Sequence, residues 1–174
     1  SVLCDDPVLY IDDRWLYDTE DTLVFYDENS IEKLSKQGPQ LRRQGSDITL
    51  VGAGYSAFQC GLVAEELKNN NISAEVIDLR VINPLDVTLI VNSVQKTGRL
   101  CVIDGSWKSC GLAGEIIAAI IEKIPLHLLK NNPLRITLPD APAPTSGALE
   151  KLYYRSLTDI TMEIIKSMDK THAF

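Results

Sequence analysis

Residues 46–105 read SDITLVGAGYSAFQCGLVAEELKNNNISAEVIDLRVINPLDVTLIVNSVQKTGRLCVIDG, and this stretch decides the fold. Asp47 to Val51 is a short apolar run that breaks at Gly52-Ala53-Gly54, after which Ala57, Cys60, Ala64 and Leu67 recur at helical spacing. That is a strand feeding a helix through a glycine turn. Ala74 to Leu79 is again strand-like, and Val87, Ile90, Val91 and Val94 sit at i, i+3, i+4, i+7 before a third strand from Leu100 to Ile103. Strands separated by amphipathic helices imply right-handed crossovers, and therefore a parallel sheet with helices on both faces.

Outward from this block, Gln40 to Arg43 is expected as a short edge strand, and Ile116, Ile117, Ile120, Ile121 and Ile124 mark a helix stopped by Pro125. Leu134 to Leu138 is expected as the last strand. Pro139, Pro142 and Pro144 hold the following PDAPAPTSG as a structured loop, as does the polar SWKSCGLAG after Gly105. A final helix begins at Ser156 or Thr158 and turns Leu157, Ile160, Ile164, Ile165 and Met168 inward. Upstream, Pro7 to Asp12 and Thr22 to Tyr26 are β-prone, Ser30 to Lys36 is helix-prone, and Trp15-Leu16-Tyr17 is an aromatic cluster too small for a core of its own. Such a piece must pack on something else.

At 174 residues the chain has room for one full core and a short arm. With 45% hydrophobic and 24% charged residues and no run of about 18 apolar positions, it has the composition of a soluble globular protein, and no membrane partner is expected. The opening SVLCDDPVLYIDD lacks the pattern of a signal peptide and starts on Ser, so the chain is expected to be processed or cut from something larger. Net charge is −7, and residues 1–28 hold nine acids against Arg14 alone. A basic face is missing, which argues against nucleic acid as a partner. Cys4, Cys60, Cys101 and Cys110 form no CxxC pair, and Cys60 and Cys101 fall on buried faces, as expected of core thiols in a reducing compartment. His127 and His172 have no second ligand at metal spacing, so no metal site is expected.

Gly52-x-Gly54-x-x-Ala57, with Asp78 ending the next strand, matches the dinucleotide fingerprint: glycines admit a pyrophosphate to the helix N-terminus, and the carboxylate holds a ribose hydroxyl. The same glycines are equally what any open α/β sheet needs for a tight turn. Gly54, Tyr55, Ser56 and Asp104 would meet at one strand-end crevice as a small-anion site. Ser56 is equally well explained as a helix N-cap, Asp104 as a cap for the loop after its strand, and Cys110 as an ordinary loop thiol.

The phrases GSDITLV (45–51), ISAEVIDLRVINPLD (72–86), SVQKTGRLCVID (93–104), GLAGEI (111–116) and DAPAPTS (140–146) come in an order and spacing that resembles the C-terminal domain of transketolase-like enzymes. The closest likeness is to the β subunit of thiamine-diphosphate-dependent 2-oxo acid dehydrogenases. PVLYIDDRWLY resembles the end of that subunit's preceding pyrimidine-binding domain, which implies that residues 1–37 are connector and residues 38–174 the C-terminal domain. The chain departs from many such subunits at Asp104-Gly105, where they have His-Glu. The resemblance implies a three-layer α/β/α fold with a mostly parallel five-stranded sheet and one antiparallel edge strand.

It further implies that thiamine diphosphate, magnesium and the catalytic residues belong to other domains of the parent enzyme, so that no catalytic residue and no cofactor is expected in this stretch. The implied partners are a second copy, an α subunit or preceding catalytic domains, and an acyltransferase. The surplus apolar surface of the isoleucine-rich and terminal helices adds to the expectation of a homodimer. The implied location is the cytoplasm, or a mitochondrial or plastid matrix in a eukaryote.

Overall fold

A computed structural model describes residues 7–17, 19–20 and 38–169. The strands are β1 (Gln40–Arg43), β2 (Ile48–Gly52), β3 (Ala74–Asp78), β4 (Leu100–Trp107) and β5 (Leu134–Leu138). The α-helices are α1 (Tyr55–Asn69), α2 (Thr88–Thr97), α3 (Leu112–Ile121), α4 (Gly147–Tyr153) and α5 (Leu157–Asp169). The strands form one sheet in the order β1-β3-β2-β4-β5. β1 runs antiparallel to β3, and every other pairing is parallel.

Alternation along the strands builds two cores. Ile48, Leu50, Val76, Cys101 and Ile103 face α1 and α5, whose Cys60, Val63, Leu67, Ile160 and Ile164 close the first. Val51, Ile77, Leu100 and Val102 face α2 and α3, whose Ile90, Val94, Ile116 and Ile120 close the second. The α/β/α layering is therefore the direct result of period-2 strands whose two faces are both apolar. Each fully buried Leu, Ile or Val is worth roughly 1.5–3 kcal/mol relative to exposure.

The face toward α2 also carries polar positions. Thr49 on β2 shares hydrogen bonds with Ser93 (2.7 Å) and Thr97 (2.8 Å) of α2, and all three residues are buried. Beside them Glu75 on β3, 3% exposed, accepts hydrogen bonds from Lys96 Nζ and from the Gly45 amide. Burial pushes the Glu75 carboxyl up, but hydrogen bonds from Lys96 and Ser93 and from the Gly45 amide outweigh it and hold it below the usual range. One charged and three hydroxyl side chains thus sit under α2 with their partners supplied.

Four features differ from the sequence expectations. Pro7 to Asp12 forms no strand, because nothing in the described residues pairs with it. β4 runs on through Trp107, where a loop is expected, and regains its pairing with β5 at Trp107–Leu138 after a register shift. α4 was hidden by the prolines before it; buried Tyr153 pins it by donating its hydroxyl hydrogen to the Ala141 carbonyl (2.8 Å). The isoleucine stripe of α3 is largely used against the sheet: Ile116, Ile120 and Ile124 are buried, and Ile117 and Ile121 half-buried. Thr22 to Tyr26, Ser30 to Lys36, Cys4 and His172 lie outside the described residues.

Candidate functional site: the strand-end crevice

In this sheet the chain leaves β2 toward β3 on one side, whereas β4 lies on the other, so the strand order reverses between β2 and β4. Ligands of open α/β sheets sit in the crevice at such a point. A crevice of about 490 Å³ is present there, and Gly54, Tyr55, Ser56 and Asp104 all line it. The four residues expected to meet from sequence are therefore brought together.

Their polar atoms are already engaged. The carboxylate of Asp104 accepts from the Ser106 amide (3.0 Å) and hydroxyl (2.7 Å) and from the Ala113 amide at the start of α3 (2.8 Å). It is a cap, as one of the two sequence readings had it. Ser56, by contrast, is not the N-cap of α1. Gly54 holds that position, and Ser56 Oγ accepts the Gly105 amide at 3.1 Å across the β2–β4 gap. Two amides of the first turn are also in use, since Ser56 N donates to Ala53 O (3.1 Å) and Ala57 N to Gly54 O (3.0 Å).

The fingerprint residues divide between two roles. Gly54, Ala57 and Asp78 line a second cleft of about 670 Å³ on the β1 side of the helix start, with Arg42 and Arg43 at its edge. Asp78 stands opposite Gly52 in the β2–β3 register, and one of its oxygens accepts the Arg80 amide (3.2 Å). Gly52 itself is architectural: a Cβ there would lie 2.6–2.7 Å from the Ser56 and Ala57 backbone. Gly54 has φ +55° with ψ −129° and open space beside it, so its requirement is a positive-φ backbone that L side chains rarely adopt.

The upstream arm lies over these clefts, which sequence reasoning did not foresee. A 3-10 turn at Arg14–Leu16 places the Trp15 ring 5.9 Å from Tyr55 and 5.7 Å from Tyr154. Leu16 and Thr19 line the β1-side cleft, and Asp13 lines the crevice. The aromatic run Trp15-Leu16-Tyr17 was the available signal; its receptor, Tyr55 and Tyr154, is assembled from elements about a hundred residues apart. Cys110 is exposed near the crevice mouth and Cys60 and Cys101 are buried, where burial pushes both thiols well up. Among the described residues no group of three or more His, Cys, Asp or Glu is placed to hold a metal, and no helix is long and apolar enough to cross a membrane.

A five-stranded mixed sheet with helices on both faces makes this an α/β domain. Residues 38–160 match the transketolase C-terminal domain family, and the chain belongs to it. Its curated relatives include the pyruvate dehydrogenase E1 component subunit beta of Bacillus subtilis, 36% identical over 82% of this chain and 43% of the relative. The mitochondrial subunit of Dictyostelium discoideum is 34% identical over 84% and 41%, and that of Rattus norvegicus 30% over 95% and 46%. The chain spans less than half the length of each of these relatives. A split-gene transketolase, solved as an inactive β4 tetramer, shares the fold with a TM-score of 0.64 at 21% identity, over 77% of this chain and 42% of that one.

Proposed function

We propose that the chain is the C-terminal domain, with its connector, of the β subunit of a thiamine-diphosphate-dependent 2-oxo acid dehydrogenase, and that it serves assembly rather than catalysis. In this reading residues 1–37 close a preceding pyrimidine-binding domain and residues 38–174 form the domain that pairs with a second copy and docks an acyltransferase. Thiamine diphosphate and magnesium are held by other domains of the parent enzyme, with an α subunit or preceding catalytic domains as partners, in the cytoplasm or an organelle matrix.

The observation that carries this reading is the surface of the arm. Leu9, Tyr10 and Ile11 are 90%, 81% and 85% exposed in succession, an apolar run of the kind a partner surface covers. Leu152 on α4, 82% exposed, adds a second apolar point away from the arm. The occupied carboxylate of Asp104 supports the non-catalytic half of the reading.

The test is two measurements on the chain as it stands. Light scattering at high concentration is expected to give a dimer, and the chain with added thiamine diphosphate and magnesium is expected to leave pyruvate and branched 2-oxo acids intact. Decarboxylation above the protein-free rate overturns the non-catalytic role, and a strict monomer overturns the pairing. A second reading, nucleotide binding by Gly52, Gly54, Ala57 and Asp78, draws support from the shared lining of the β1-side cleft by Gly54, Ala57 and Asp78 with two arginines. Calorimetry with NAD, NADP and ADP decides it, and absence of heat at millimolar ligand removes it.

A further inference from the structure

The described hydrogen bonds of the arm lie within the arm itself. Leu16 N donates to Asp13 O (3.1 Å), Thr19 N to Leu16 O (3.1 Å) and Trp15 N to Asp13 Oδ1 (3.1 Å), and Tyr17 Oη donates to Asp12 Oδ2 (2.7 Å). Among the described residues no hydrogen bond or ion pair runs from the arm to the sheet domain. What joins the two is ring packing. Trp15 rests tilted on Tyr55 from the first turn of α1 and edge-on against Tyr154 from the junction of α4 and α5. The Trp15 side is still open to water, with 61% of the residue exposed.

Position adds to this. The arm lines three neighbouring clefts at the strand ends: Leu16 and Thr19 the β1-side cleft of about 670 Å³, Asp13 the crevice of about 490 Å³, and Asp13 with Trp15 a cleft of about 400 Å³ over Ile103, Ile136 and Ile160. A segment that, among the described residues, has no hydrogen bond to the sheet domain and keeps its own turn when it leaves opens by breaking ring and side-chain packing. Because the turn is preformed, closing again orders few residues.

We infer that Asp13 to Tyr17 is a displaceable strap: a self-contained turn pinned by Trp15 into the Tyr55–Tyr154 notch, which covers the strand-end crevice when seated and uncovers the three clefts together when it lifts. The two receptor tyrosines come from different elements, so the notch also reports the seating of α4 and α5 against α1. This inference stands apart from the proposed parent enzyme, since it concerns only contacts within the chain.

Trypsin cleavage after Arg14, followed by mass spectrometry on the full chain, reads the opening directly, because the scissile bond adjoins the anchoring Trp15. Tyr55→Ala and Tyr154→Ala leave that bond unaltered and each is expected to speed its cleavage at least tenfold, with exposed Arg80 and Lys123 on the sheet domain cut at the unmodified rate. Unchanged cleavage at Arg14 overturns the strap, and equal acceleration at Arg80 and Lys123 overturns it too, since the arm would then be part of the body. A 5-fluorotryptophan-labelled chain gives an independent reading. Tyr154→Ala is expected to move the Trp15 fluorine resonance toward that of free tryptophan, and a Trp15 resonance that stays in place in both variants refutes the anchor.

Discussion

Ser56 Oγ accepts the Gly105 amide at 3.1 Å, so a hydroxyl in the first turn of α1 ties that helix to the end of β4 across the point where the strand order reverses. Ser56 is 6% exposed. The bond closes the crevice floor with protein where a ligand would otherwise find a donor. Ser56→Ala is expected to cost about 1 kcal/mol, because Gly105 lies at the surface and its amide can turn to water. Urea unfolding with an unchanged m-value would show this as a lowered midpoint. A variant as stable as the parent refutes the tie.

Glu75 is expected to make stability pH-dependent on the acid side. Its folded carboxyl lies below the unfolded value of about 4.3. The contribution is therefore complete above that value and is lost as pH falls through the lower folded one. Glu75→Gln is expected to flatten the urea midpoint against pH below about 4.3. Lys96→Met, which leaves a buried carboxylate without its cation, is expected to be the more damaging change. Lys96 is half exposed, so its cost falls short of the roughly 3–5 kcal/mol of a fully buried pair. Equal pH profiles for parent and Glu75→Gln refute the assignment.

The two fingerprint glycines are expected to fail differently. Gly52→Ala drives a methyl into the Ser56–Ala57 backbone and is expected to cost about 3 kcal/mol, the upper end for overpacking. Gly54→Ala meets open space and carries only a backbone penalty, since φ +55° with ψ −129° is a conformation L residues rarely adopt, at roughly 1–3 kcal/mol. Thermal unfolding ranks the pair. A Gly54→Ala chain less stable than Gly52→Ala contradicts the structural division.

Tyr153 couples three segments. Trp107 Nε1 donates to its hydroxyl oxygen (3.1 Å), and the hydroxyl donates to the Ala141 carbonyl (2.8 Å). Tyr153→Phe keeps the ring and removes both bonds, at about 1–2 kcal/mol in total. Hydrogen exchange is expected to rise in residues 139–146 and at Trp107, with β2 unchanged. Uniform exchange across the chain before and after substitution counts against the coupling.

Much of this was legible in the sequence for a physical reason. In a sheet covered on both faces each strand is a short, mostly apolar run, and β2, β3 and the first half of β4 are such runs between glycine and polar breaks, broken only by Thr49 and Glu75. The crevice was legible because Gly54 and Ser56 follow β2 directly and Asp104 lies just beyond the apolar half of β4, so local order fixes their place. The edge strand Gln40–Arg43 was legible as four residues between turn signals. Its antiparallel direction came from the family resemblance. α4 was not legible, since seven residues give too short a period to stand out after a proline-rich loop.

By itself the sequence determined the layers and the five strands of the sheet domain, because periodicity and local turn chemistry are properties of neighbouring residues, and the ordered run of phrases carried the family. Tertiary structure alone decided what the crevice residues do. Whether Ser56 caps its helix or grips Gly105, and whether Asp104 is free or spoken for, depends on donors from other elements. The same holds for Trp15, whose receptor is Tyr55 and Tyr154: a hydrogen bond or a ring contact needs two partners within a few ångströms, and only folding brings residues so far apart in the chain to that distance.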